Sequence, residues 1–271
     1  MVAMGRLVAP SGCSKEFAVN MIKQIGPSEG QDGGHPSSPY CLETLAESVQ
    51  YYQWIYGVMR PYLGSRVMEL GAGIGNLTAL LLGDERAVVA IDTDEQMIER
   101  HRQRVPATTR LLMECVSLQE LARRPSYRER FDSVISANVL EHVPDGEHDE
   151  ILSCSFDVLR PGGYSVHWVP AFESIYGSLD RLFLHHRRYK KRQLCSLFEK
   201  AGFKIVSCEY WNLVGFFAWW LTGRVLGSTE ISPSAAEVFD RYVVPIASRI
   251  EPRLWRPFGQ SLLIVAQRLK P

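Results

Sequence analysis

The sequence predicts an α/β domain built on a mostly parallel sheet, and three observations carry that prediction. Short apolar runs alternate with helical patterns from about residue 66 to residue 169. One of these runs passes straight into a turn with glycine at alternate positions, VMELGAGIGN at 67–76. The next run ends in a carboxylate, Asp92. That spacing suits a ligand held across the carboxyl ends of neighbouring parallel strands.

In chain order, residues 1–40 hold Gly, Ser and Pro clusters (GPSEGQDGGHPSSP) with little apolar periodicity, which reads as a flexible leader. Residues 41–271 are then one domain. A helix is expected over 42–62, where Leu45, Val49, Tyr52, Ile55 and Met59 recur at spacings of three and four, with Pro61 and Gly64 closing it. The strands follow as RVMEL, AVVAI, TRLLM, FDSVISA and GYSVHWV; FKIVSCEYW and SLLIVAQR complete seven. Two segments fall outside the alternation, 171–189 and 212–260. Excursions of that length in a compact domain are usually lids or carry structure of their own, and the acceptor pocket is expected beneath them.

Composition narrows the class. Hydrophobic residues at 46% with charged ones at 22% are the balance of a globular protein, so most of the chain should pack. Thirty basic residues against thirty acidic ones give no net charge, which disfavours nucleic acid as a partner. The six cysteines form no CxxC pair or zinc spacing, so no metal is expected, and reduced thiols in a cytoplasmic protein are the simplest account. The longest apolar stretch, LVGFFAWWL at 213–221, is well short of the roughly 20 residues of a membrane-spanning helix. It suits peripheral contact with a membrane surface, or the cap of a greasy pocket. Nothing in the sequence sets the oligomeric state.

Glycine in the 71–75 turn allows positive φ and removes the Cβ that would hold a ligand off the backbone. A dinucleotide fingerprint requires G-x-G-x-x-G, but here the third glycine comes one residue early and Asn76 occupies its place. Glu69 also precedes the first glycine by two positions, where a carboxylate suits an ammonium better than a pyrophosphate. At the end of the second strand, Asp92 is placed to accept hydrogen bonds from both hydroxyls of a ribose.

VMELGAGIGNLT, AIDTDEQMI, FDSVISANVLEHV and LRPGGYSVHWVP resemble the successive motifs of class I S-adenosylmethionine-dependent methyltransferases. The later YGSLDRLFLHHRRYKKRQLCSLFEKAGF, with the Trp-rich segment after it, is similar to a bacterial subgroup acting on small molecules in secondary metabolism. The resemblance implies a Rossmann-like seven-stranded sheet with helices on both faces, an antiparallel last strand and helical lid insertions. It implies that Glu69, Gly71 and Gly73 hold the methionine part of S-adenosylmethionine, Asp92 the ribose, and Thr93 and Met97 the adenine side. Asn138 and Val139 face the sulfur, and Tyr52, or its neighbour Tyr51, closes over the methionine end. The family's usual Asp after the third strand is replaced by Cys115, a weak acceptor. Cys115 and Val116 therefore enter the site without an evident bond to the adenine amino group, and Glu114 or Ser117 are alternatives.

Methyl transfer from a sulfonium is an in-line displacement that needs an aligned acceptor and, for some acceptors, a base. His142, after the fourth strand, is the catalytic candidate, with an ordinary pKa of about 6.5. The basic run 187–192 reads as a solvated helix start. The aromatic residues Trp211, Phe216, Phe217, Trp219 and Trp220 pack a lid and point to a hydrophobic, natural-product-like acceptor. Two other readings compete: a member of the fold that keeps the cofactor but catalyses a non-methylating reaction such as a cyclisation, and a non-catalytic binding subunit.

Overall fold

The computed structural model describes residues 48–270. The expected leader at 1–40, the first residues of the expected 42–62 helix, and Cys13 and Cys41 lie outside them. The described chain opens with α1 (Val49–Met59), then follows the order β1 (Arg66–Leu70), α2 (Asn76–Gly83), β2 (Ala87–Asp92), α3 (Glu95–Arg104), β3 (Leu111–Cys115) and α4 (Leu118–Ala122). It continues through β4 (Phe131–Ala137), α5 (His148–Val158), β5 (Leu159–Pro170), α6 (Ser178–Leu182), α7 (Lys191–Lys200) and β6 (Lys204–Trp211). The 212–260 excursion holds α8 (Leu213–Trp219), α9 (Pro233–Val238) and α10 (Val244–Ile250), joined by wide π-type turns, and β7 (Ser261–Gln267) follows.

The seven strands lie in the order β3-β2-β1-β4-β5-β7-β6. The pairs from β3 to β5 are all parallel, whereas β7 runs antiparallel to both neighbours. Because β7 is inserted between β5 and β6, both its faces are covered. Leu263 and Val265 pack into one core layer, and Leu262, Ile264 and Ala266 into the other. That is why its sequence is a continuous apolar run rather than an alternating one.

Local chemistry starts several helices. Asp94 caps α3 by accepting from the Gln96 amide at 2.8 Å, and the last turn carries His101, Arg102 and Arg104, which complements the helix dipole. Ser117 and Glu120 form a reciprocal capping box on α4. In contrast, Ser48 makes no cap on α1. Asp240, from the distant 212–260 excursion, instead accepts from the amides of Gln50 and Tyr51 at 3.1 and 2.8 Å.

That excursion is pinned at its stem. Glu251 accepts from the Asn212 and Leu213 amides, each at 2.8 Å, while the Asn212 side-chain amide donates to Gln260 at 2.6 Å. Trp54, Trp168 and Trp211 stack edge-to-face beneath it, with ring centroids 6.2–6.3 Å apart. The two excursions also grip each other. The Trp219 indole donates to Asp180, the Ser178 hydroxyl donates to the Gly223 carbonyl, and a Cβ on Gly177 would lie 2.2 Å from that carbonyl oxygen.

Candidate active site

A cavity of about 940 Å³ opens above the carboxyl ends of β1, β2 and β4. At one end lies the turn after β1, where Gly71, Gly73 and Gly75 all have positive φ. The three glycines do different work. A Cβ on Gly71 would strike Val139 at 2.5 Å, and one on Gly75 would strike His101 at 2.5 Å, whereas one on Gly73 would meet no protein atom within 4 Å. Gly71 and Gly75 are thus required by packing, and Gly73 leaves its space to the cavity.

Asp92 ties this turn to the second strand. One of its oxygens accepts from the Gly73 amide at 2.8 Å and the other from the Asp94 amide at 3.0 Å, fixing the carboxylate while leaving lone pairs on the cavity side. Glu69 is buried and receives a 2.5 Å hydrogen bond from the Thr78 hydroxyl. Burial pushes its carboxyl up to about 8; Thr78 opposes this shift and the charge on Asp92 adds to it. A buried acid in this condition is suited to receive a cation.

Of the residues expected at the site, Tyr52, Glu69, Gly71, Gly73, Asp92, Thr93, Met97, Val116, Asn138, Val139 and His142 all line the cavity. Tyr51 lines it too, and the two tyrosines divide the space. Tyr52 lies beside Asn76 and Glu69, and Tyr51 beside Trp168, Asn212 and Ser261 under the lid. Asn138 holds a left-handed conformation, φ 55°, with its amide bonded to the Trp168 carbonyl at 2.8 Å. Asparagine enters this conformation more readily than other non-glycine residues, so the chain turns here without a glycine.

Cys115 is the exception. Its side chain is exposed on the sheet edge, where the thiol faces Glu95, and it does not line the cavity. The chain turns inward only at the next residue, so Val116, Ser117, Leu118 and Gln119 form that wall. Glu114 is likewise diverted, bonded to Tyr127 at 2.8 Å and to Arg124. Gln119 was missed in the sequence because it sits inside a short helix with no motif around it.

The basic run also differs from the expectation of a solvated helix start. Lys190, Lys191 and Arg192 are exposed, but Arg188 is 2% exposed, bonded to Asp180 at 2.7 Å and stacked 4.9 Å over the Trp219 ring. Arg188, His185, Phe183, Leu179 and Trp219 form the lid end of the cavity. His142 lies opposite, its ring edge-on to His185 at 5.0 Å. Burial away from water, then the neighbouring His185, lowers its pKa to about 4.

Residues 68–165 match the family model of a methyltransferase domain. The chain contains a class I S-adenosylmethionine-dependent methyltransferase domain. It is 25% identical over 158 residues to an uncharacterized methyltransferase of Oceanobacillus iheyensis, covering 58% of this chain and 65% of that protein. It is 30% identical over 129 residues to the human mitochondrial ubiquinone biosynthesis O-methyltransferase, covering 46% of this chain and 33% of that one. Each match thus spans less than two thirds of the relative. The fold is similar to that of an S-adenosylmethionine-dependent methyltransferase from Archaeoglobus fulgidus, with a TM-score of 0.54 at 19% identity over 80% of this chain and 94% of that one.

The features of this methyltransferase domain fit its cofactor. The open space at Gly73, the proton-holding Glu69 and the fixed Asp92 are suited in turn to a close-packed chain, an ammonium and a diol. The buried pair Ile74 and Met97 offers an apolar surface for a flat ring. The matched model ends at residue 165, so the lid segments, which supply the other end of the cavity, lie beyond it.

Proposed function

We propose that this chain transfers a methyl group from S-adenosylmethionine to a hydrophobic small molecule of the natural-product kind. The observation that carries this reading is the continuity of one cavity, from the glycine turn and its two carboxylates to an apolar end built by Leu179, Phe183, Trp219 and Phe239. On this reading Glu69 holds the ammonium, Asp92 the ribose, and the backbone at Gly73 the chain between them. The bound cofactor supplies a methyl group on an already activated leaving group. The protein's own work is then to align the acceptor and exclude water. His142 lines the cavity and is neutral at pH 7, but a base of such low pKa removes protons weakly. The relative named as an O-methyltransferase supports an oxygen acceptor.

The outer face of the lid supports a lipid-like source for that acceptor. Val238, Tyr242, Ile246 and Ile250 recur every fourth residue and are all about half exposed or more, while Ala235, Ala236 and Phe239 of the same stretch face the cavity. Trp255, shortly after them in sequence, is 88% exposed, and Arg241, Arg249 and Arg253 are interspersed along the same stretch. Among the described residues no helix is long and apolar enough to cross a membrane. A basic-fringed apolar face of this kind suits contact with an anionic membrane surface.

The test is incubation of the purified protein with methyl-labelled S-adenosylmethionine and a lipid extract of its source, followed by mass spectrometry. A lipid-soluble product heavier by one methyl is expected. Cofactor binding with no methylated product would overturn the reading.

A further inference from the structure

Behind the lid end of the cavity lies a buried carboxylate, Glu141, that the methyl-transfer reading leaves without a task. Glu141 is completely buried, yet neither of its carboxylate oxygens has a hydrogen-bond partner. Burying an unpaired carboxylate is costly, and such groups are normally paired or bound to a metal. The ligand atoms of Glu141, His142 and His185 all lie within 4.8 Å of one another, with His185 Nε2 3.8 Å from the Glu141 carboxylate.

Both imidazoles are held by second partners. His185 Nδ1 lies 3.0 Å from an Asp180 oxygen, and Asp180 is itself fixed by Arg188 and the Trp219 indole. Directing one ring nitrogen to a carboxylate leaves the other free and more basic, as in carboxylate–histidine–metal arrangements. The His142 ring faces the Leu184 backbone carbonyl, which orients it in the same way. His142 and His185 line the cavity, with Glu141 behind them, so an ion held here keeps its remaining positions open toward the acceptor end.

We propose that Glu141, His142 and His185 bind a divalent transition-metal ion of the zinc type, open to the acceptor chamber. The cysteine spacing argued against a zinc site, but two histidines and a carboxylate with open positions are a recognised catalytic donor set that needs no thiolate. The ligand atoms, which lie within 4.8 Å of one another, would close to roughly 3.3 Å for tetrahedral bonds of about 2.0 Å. Resting on the function proposed above, the ion would bind the acceptor hydroxyl and lower its pKa. The proton leaves to solvent, the oxygen forms the new bond to the methyl carbon, and the carbon–sulfur bond breaks to release a neutral thioether. His142 then serves as a ligand rather than a base.

The test uses the whole chain, stripped with chelator and titrated with Co²⁺ alone, read by visible absorption. One equivalent with ligand-field bands, no thiolate charge-transfer band, and displacement by Zn²⁺ are expected. Glu141→Gln and His185→Ala should each weaken binding at least tenfold, with the far-ultraviolet dichroism and S-adenosylmethionine affinity of the wild type. Zn²⁺ should also raise the melting temperature of the wild type but not of Glu141→Gln. Absence of the bands, a thiolate band, or equal binding by both variants would overturn the site. None of these readouts involves methyl transfer, so a protein that binds cobalt without methylating any acceptor would refute the proposed function and leave the metal site standing.

Discussion

The two ends of the cavity are built in different ways. The end near β1 and β2 is made of backbone and short side chains, in which Glu69, Gly73 and Asp92 fall within a few residues of strand ends, the Gly73 amide donating to Asp92 and the Thr78 hydroxyl to Glu69. The lid end is made of long side chains from two separate excursions that hold each other through Asp180, Arg188 and Trp219. The first end depends on local conformation and the second on tertiary contact. Variants at the first end should therefore act on cofactor affinity and spare the acceptor end, and variants at the lid should do the reverse.

The largest effect is expected for Gly73→Val. The substitution places a side chain in the cavity at a residue with φ 51°, and strain of this kind costs of order 1–3 kcal/mol. Binding of S-adenosylmethionine should be lost in calorimetric titration while the cooperative fold survives. Gly71→Val is the contrasting case, since its side chain strikes Val139 rather than the ligand space, and it should lower the melting temperature further. If the two variants lose stability equally, the separate tasks given to these glycines are wrong.

Asp92→Ala comes next. It should weaken cofactor binding by about 1.5–3 kcal/mol, the range for a hydrogen bond to a charged group, because the ribose loses its acceptor and the Gly73 amide its anchor. Unchanged affinity would remove Asp92 from the site. At the other end, Gly177→Ala forces a Cβ against the Gly223 carbonyl and should separate the two lid segments, costing about 1–3 kcal/mol by overpacking. Its cofactor affinity should match the wild type while the acceptor KM rises. A change confined to cofactor affinity would contradict the division of the cavity.

The same division explains what could be read from the sequence. The glycine turn, the acid before it and the strand-end Asp92 are short-range patterns, and each lines the cavity. The number of strands and the antiparallel direction of the last one followed from family resemblance, whereas the place of β7 between β5 and β6, which explains its buried run, came only with the structure. By contrast, Asp180 and Arg188 read as ordinary charged residues, because their pairing depends on a loop folding back and on Trp219 arriving from the other excursion. The lowered pKa of His142 was hidden for the same reason: His185, 43 positions later in the chain, stands against it. Cys115 was misplaced because motif alignment identifies a strand end but not the residue at which the chain turns inward.

The smallest effect concerns the proton on Glu69. With its carboxyl raised to about 8, the acid is roughly nine-tenths protonated at pH 7, and binding an ammonium beside it requires that proton to leave. Cofactor binding at pH 7 should therefore release close to one proton, seen as a dependence of the calorimetric heat on buffer ionisation enthalpy. Affinity should rise roughly tenfold between pH 6 and pH 7, where the cofactor ammonium stays charged. The sign for stability runs the other way. A carboxyl raised from 4.5 contributes its full stability at low pH and loses it progressively as pH climbs through about 8, so the cofactor-free protein should soften across that window and the loaded protein should resist. Glu69→Gln keeps the shape and the Thr78 contact but has no proton to release, so both pH dependences should flatten. Proton release that persists in Glu69→Gln would assign the titrating group elsewhere and leave the ammonium without its proposed partner.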